Sequence, residues 1–142
     1  MIKRLTIEDY PEVIKLWEKA GLEIRLKGRE HPDQMKKQLK SDNVILLGKF
    51  SADIMLGVVL VTHDGRKGWM NRLAVNPKYK RKGVAKELIS SAERLLFEEF
   101  RIEIFGALVS KENLKSDYFF ASVGYEKWEE ISYFSKRRRF DS

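Results

Sequence analysis

Apolar residues recur at helical spacing near the start of the chain, with Tyr10, Val13, Ile14 and Trp17 on one stripe. Ahead of them Thr6-Ile7-Glu8-Asp9 approximates a capping box with Asp in place of the usual Glu. Pro11 falls in the first turn, where a missing N–H is harmless, and Gly21 is placed to stop the helix. Residues 2–5 read as a short strand leading into that helix, residues 22–30 are polar and irregular, and residues 32–39 give a second helix with Met35 and Leu39 on one face. Two apolar runs, residues 43–50 and 54–63, are joined by Ser51-Ala52-Asp53 and predict a hairpin. After the turn Asp64-Gly65-Arg66-Lys67-Gly68 comes a strand over residues 69–75. Over residues 83–100 the stripe Val84, Ala85, Leu88, Ile89, Ala92, Leu95 and Leu96 predicts an amphipathic helix packed on a sheet. A strand over 102–109, a helix over 113–123 and a closing strand or hairpin over 125–134 complete an α/β order without repeats.

At 142 residues, 43% hydrophobic and with three Trp, the chain can bury one core and is too short for two. One domain over residues 1–134 and a basic tail over 135–142 are expected. No apolar run approaches the ~20 residues that span a bilayer, and Met1-Ile2-Lys3-Arg4 leads into a capped helix rather than a signal core, so a soluble, cytoplasmic protein without a membrane partner is expected. The absence of cysteine excludes disulfides, thiolate metal sites and a cysteine nucleophile, and two histidines leave little for zinc, so no metal is expected. The histidines, His31 beside Pro32 and His63 beside Asp64, read as exposed turn residues.

Charge concentrates in two places. Lys136, Arg137, Arg138 and Arg139 form a tail run read as a frayed, solvated end, and without it the net +7 falls to +3. Lys78, Lys80, Arg81, Lys82 and Lys86 surround Gly83-Val84-Ala85, where a strand passes into a helix. A helix N-terminus offers unpaired N–H groups and the positive end of a dipole, and small residues let a phosphate approach them. Lys80, Arg81, Lys82, Gly83, Val84, Ala85 and Lys86 are therefore read as a cradle for a nucleotide-like cofactor, which accounts for the charge better than DNA or RNA does.

In that context Lys80-Arg81-Lys82-Gly83-Val84-Ala85 resembles the Gln/Arg-x-x-Gly-x-Gly/Ala signature of the GNAT (Gcn5-related) N-acetyltransferases. It follows Leu73-Ala74-Val75 and Asn76-Pro77-Lys78-Tyr79, as the family's signature follows its Leu-Ala-Val strand and Asn/Asp-Pro-x-Tyr/Phe turn. Lys80 departs from Gln or Arg, keeping the charge without the planar fork. Asn113, with Gly124-Tyr125 eleven residues on, resembles the family's Asn-x-x-Ala-x-x-x-Tyr-x-x-x-Gly-Phe/Tyr segment.

The resemblance implies a mixed, mostly antiparallel central sheet, flanked by helices and splayed after Leu73-Ala74-Val75 to take acetyl-CoA. The pantetheine arm would pair with the backbone of Leu73, Ala74 and Val75, and Asn113 would touch the cofactor. It also implies direct acetyl transfer to a primary amine, of a small molecule or a protein, in a ternary complex; a dimer would be common. The family's Tyr acid falls at Phe120, and Tyr118 lies about 200° away on a helix. Phe119, Phe120 and Tyr125 read as core that also walls the thiol pocket. For the base, Glu103 and a water chain held by Asn71 are ranked equally, with Glu23, Glu30 and His31 bordering the acceptor site. Arg25, Lys27 and Arg29 suggest an acceptor that also carries a carboxylate or phosphate. The alternatives are a catalytically silent CoA-binding module of the same fold, favoured by Phe120, and a basic nucleic-acid-binding protein, for which the tail is a poor match.

Overall fold

A computed structural model describes residues 1–142. Strands β1 (Ile2–Arg4), β2 (Val44–Ser51), β3 (Ile54–His63), β4 (Gly68–Val75) and β5 (Phe105–Ala107) form one sheet in sequence order. The first three pairings are antiparallel and β4 with β5 is parallel. Helices α1 (Tyr10–Lys19) and α2 (Pro32–Leu39) cover one face, and α3 (Val84–Phe100) covers the other with α4 (Leu114–Ser122) beside it. This is the mostly antiparallel α/β sheet that the sequence predicts.

The near-continuous apolar run of β3 follows from cover on both faces. Val58 and Leu60 pack with Tyr10, Val13, Trp17 and Met35, whereas Val59 and Val61 pack with Leu88, Ile89, Ala92 and Leu96. Gly21, at φ +80°, ends α1 with Leu22 N–H donating back to the Trp17 carbonyl at 3.0 Å. The Thr6 N–H donates to Asp9 Oδ2 at 2.9 Å in the expected capping box.

Four expectations are corrected. β5 holds three residues rather than eight, because Arg101 takes a left-handed cap at the end of α3 and Ile102 is drawn into the core, its N–H donating to the Leu96 carbonyl. Residues 125–134 form no strand. Tyr125 packs on Phe120 and donates its hydroxyl to Glu93 at 2.7 Å, while Lys127 pairs with Asp117 of α4, so the chain follows the helices and not the short free edge of β5. His63 is 8% exposed, its ring 4.2 Å from that of Phe100 and its Nδ1 accepting from the Gly65 N–H, so Nε2 donates to the Asp42 carbonyl. The end of the tail is docked: Arg25 donates to the Phe140 carbonyl and stacks on that ring, and Asp141 lies against Gly28.

Gly57 sets the distance between sheet and helix. A Cβ there would meet Val84 Cγ1 at 2.7 Å and the Ala74 carbonyl at 3.0 Å. Gly57→Val is expected to lower the stability to urea by about 1–3 kcal/mol through overpacking, and to shift the start of α3 with it.

Candidate functional site

Val58 pairs with Ala74 and Leu60 with Asn71, so Val59 alone faces both Arg72 and Leu73, a bulge in β4. Arg72 adopts φ +54° to make it, in a region that costs a non-glycine residue about 1–3 kcal/mol. The extra residue breaks the alternation. Asn71 points with Leu60 and Thr62 towards the α1–α2 face, and Arg72 follows it to the same side. β4 pairs with β5 only from Gly68 to Met70, so the edge from Asn71 to Val75 has no strand beside it. That open edge is the splay.

Past Val75 the chain turns through Asn76, whose Oδ1 accepts the Lys78 N–H at 3.1 Å, and through a single turn of 3-10 helix, Pro77–Tyr79, to the start of α3. Arg81 and Gly83 have positive φ. From Lys80 to Lys86 seven consecutive N–H groups donate to no acceptor in the protein, and the first helical bond is Glu87 N–H to the Gly83 carbonyl. Lys78, Lys80, Arg81, Lys82 and Lys86 are exposed and belong to no ion pair. The one acid of the first turn, Glu87, is held by Lys49 at 2.7 Å. The hydrogen bond from Lys49 also lowers the pKa of Glu87. The cradle's field is therefore positive, and open amides beside free cations fit a pyrophosphate-bearing ligand. A groove of about 460 Å³ continues along α3 past Lys86, Ser90 and Arg94.

The structure brings Leu73, Ala74, Val75, Lys80, Arg81, Lys82, Gly83, Val84, Ala85 and Lys86 to one strand-to-helix junction. Ala74 and Val84 are core residues there, so they contribute backbone rather than side chain. Asn113 caps α4, its Oδ1 accepting the Ser116 N–H at 3.1 Å. Asn71 donates to the Leu60 carbonyl, Thr62 Oγ1 and the Trp69 carbonyl at 3.0–3.3 Å, which fixes its amide with Oδ1 unengaged. Glu103 is not brought to this junction. It is exposed, two residues before the Phe105–Gly68 pair, at the end of β4 opposite Val75 and on the order of 20 Å from it. Phe120 lies partly buried between Phe119 and Tyr125, and Tyr118 points to solvent at 76% exposure.

Sequence reasoning missed Arg72 and the part Glu30 plays with it. Glu30 is 2% exposed; its Oε2 accepts Arg72 Nε at 2.6 Å, and its Oε1 accepts the other arm of the guanidinium and the Arg25 N–H. Buried and paired with Arg72 through both oxygens, Glu30 is poorly placed for a proton acceptor's work. The backbone carbonyl of Glu30 accepts the Tyr10 hydroxyl at 2.6 Å; burial, then the charge of Glu30, pushes the pKa of that hydroxyl well up. Two partners 42 positions apart carry no sequence signal. Lys27 and Arg29, with His31 and Arg139, border a polar groove of about 640 Å³ between α2 and the tail, whereas Arg25 is already taken by Phe140.

Residues 5–125 match the model of the acetyltransferase (GNAT) family. The chain is 32% identical over 90 residues to the acetyltransferase SG1711 of Sodalis glossinidius, across 63% of this chain and 61% of that protein. It is 28% identical over 132 residues to the acetyltransferase plu1384 of Photorhabdus laumondii, across 92% and 90%. Among solved structures the PaiA N-acetyltransferase of Thermoplasma acidophilum, in complex with coenzyme A, superposes with a TM-score of 0.81 at 18% identity, covering 92% of each chain.

Gly83 has open space around it and φ +77°, so backbone conformation and not room demands glycine there. Gly83→Val is expected to cost about 1–2 kcal/mol in urea unfolding. Lys49→Met frees the charge of Glu87 beside the cradle and is expected to weaken pyrophosphate binding, measured by calorimetry at low salt.

Proposed function

The chain belongs to the acetyltransferase (GNAT) family, and we propose that it moves an acetyl group from acetyl-CoA to a primary amine in a ternary complex. The observation that carries this reading is the run of unpaired N–H groups from Lys80 to Lys86 beside the open edge of β4. The amides and cations take the pyrophosphate, and the edge from Asn71 to Val75 offers main-chain partners to an extended arm. When bound, the donor supplies the thioester carbon that the amine attacks.

The amine enters from the α1–α2 face, where Asn71 points. Its ammonium must lose a proton before attack, and with Glu103 remote and Glu30 buried in its pair with Arg72 the proton passes to water held at Asn71 Oδ1. The second proton, to the departing sulfur, comes from solvent, because Phe120 has none and Tyr118 faces away. Orientation therefore contributes more of the rate than proton transfer does. Lys27 and Arg29 favour an acceptor that carries an anionic group besides its amine.

Calorimetric titration of acetyl-CoA, with free thiol followed on adding mixed amines, tests this. Binding is expected in the wild type and not in the Gly83→Trp, Ala85→Trp double variant, and thiol release is expected with at least one amine. Asn71→Ala is expected to lower kcat about tenfold with the affinity for acetyl-CoA unchanged. Binding without release on any amine would make the protein the catalytically silent module instead. No binding would remove the reading altogether.

A further inference from the structure

Arg72 is anchored at both ends. Its carbonyl accepts Trp17 Nε1 at 3.0 Å, its guanidinium lies 5.4 Å from the Trp17 ring, and its fork closes on Glu30. Trp17 is fully buried in α1, and the Glu30 side chain is 3% exposed. Glu30 belongs to the irregular segment between α1 and α2, which it holds from inside through the Arg25 N–H and, by its carbonyl, the Tyr10 hydroxyl. One residue on the bulge of β4 thus ties together the reactive strand, α1 and the loop that borders the acceptor side.

A left-handed arginine is a poor choice if the bulge needs only the backbone, since glycine would supply that conformation without strain. The side chain has to be the reason that arginine is there. The Nε and Nη2 edge of that side chain is closed on Glu30, so the partner it holds there is a carboxylate of the protein. Lysine would lack the second arm and the planar face that lies over Trp17.

Resting on the acetyltransferase reading above, we infer that Arg72 is a positioning residue: through Glu30 and Trp17 it locks the β4 bulge to the loop over residues 22–30, so that the donor's strand edge and the acceptor's wall move as one body. The cradle lies outside this lock, since none of its groups bonds to Arg72, Glu30 or Trp17. Loss of the lock should therefore separate transfer from pyrophosphate binding at the cradle.

Arg72→Gly alone would leave Glu30 buried and unpaired and can fail to fold for that reason. The informative variant is Glu30→Gln with Arg72→Gly, which removes both charges and gives the bulge a residue suited to φ +54°. Thiol release, inorganic pyrophosphate titration and amide hydrogen exchange are measured on the full chain for the double variant, both single variants and Arg72→Lys. The double variant is expected to unfold cooperatively and to bind inorganic pyrophosphate within about twofold of wild type, because the cradle is intact. Its kcat is expected to fall at least about tenfold, as misplacement of reactants does. The amides of Gly28, Glu30 and His31 are expected to exchange faster, with those of α3 unchanged. Arg72→Lys should recover part of kcat, and the losses in the single variants should sum to more than the loss in the double. Wild-type kcat in the double variant, additive losses, or a parallel loss of pyrophosphate affinity would each overturn the inference. If the wild type releases no thiol, the acetyltransferase reading fails, and hydrogen exchange alone judges the lock: unchanged exchange in the loop would overturn it.

Discussion

The parallel pairing of β4 with β5 is the constraint on which the site depends. Parallel neighbours need a crossover, and here α3 supplies it, running back across one face of the sheet. A crossover helix starts where its first strand ends. The N-terminus of α3 is therefore delivered to the carboxyl end of β4, and its unpaired amides face the edge that β5 leaves open beyond Met70. The short β5 makes that opening larger. Had Ile102 extended the strand instead of entering the core, the pairing would begin earlier without reaching further along β4. The splay is thus fixed by where β5 stops, after Ala107.

Electrostatics sharpen what topology places. A helix N-terminus with an acidic first turn would satisfy its own dipole and repel an anion. Here the single acid of that turn is held by Lys49 of β2, two strands away in the sheet from β4. The five exposed cations around Gly83 keep their charge for a ligand. Their density suits a phosphate-rich partner, and the end of the basic tail lies elsewhere, against the loop at Gly28.

Most of the fold was legible because local rules and tertiary structure agree in it. The stripes of α1 and α3, the stop at Gly21 and the doubly apolar β3 each follow from spacing and from what covers the element. The strand-to-helix junction with its unpaired amides and exposed cations was legible too, since it rests on backbone conformation and charge, which the sequence displays. What could not be read depends on pairings distant along the chain. Residues 125–134 have the aromatic and β-branched content of a strand, but a strand needs a long enough edge, and that length was set by Arg101 and Ile102 at the end of a helix. His63 reads as a turn residue until Phe100 and the Asp42 carbonyl are placed around it. Glu103 had the right residue type on an expected strand, and only the parallel register shows that it stands at the wrong end.

The bulge joins these strands of argument. Without it, Asn71 and Arg72 would face opposite sides of the sheet, and only one could serve the acceptor face. With it, consecutive residues share that face and differ in their partners: Asn71 keeps an unengaged oxygen near the open edge, and Arg72 pairs with Glu30 and Trp17 of the protein itself. In the acetyl transfer proposed for this site, holding two reactants in register is the contribution that these residues can make. Rigidity then becomes the chemical asset. A buried ion pair contributes little net stability by comparison with an apolar contact of the same size, so its value here lies in fixing one geometry of the reactive strand.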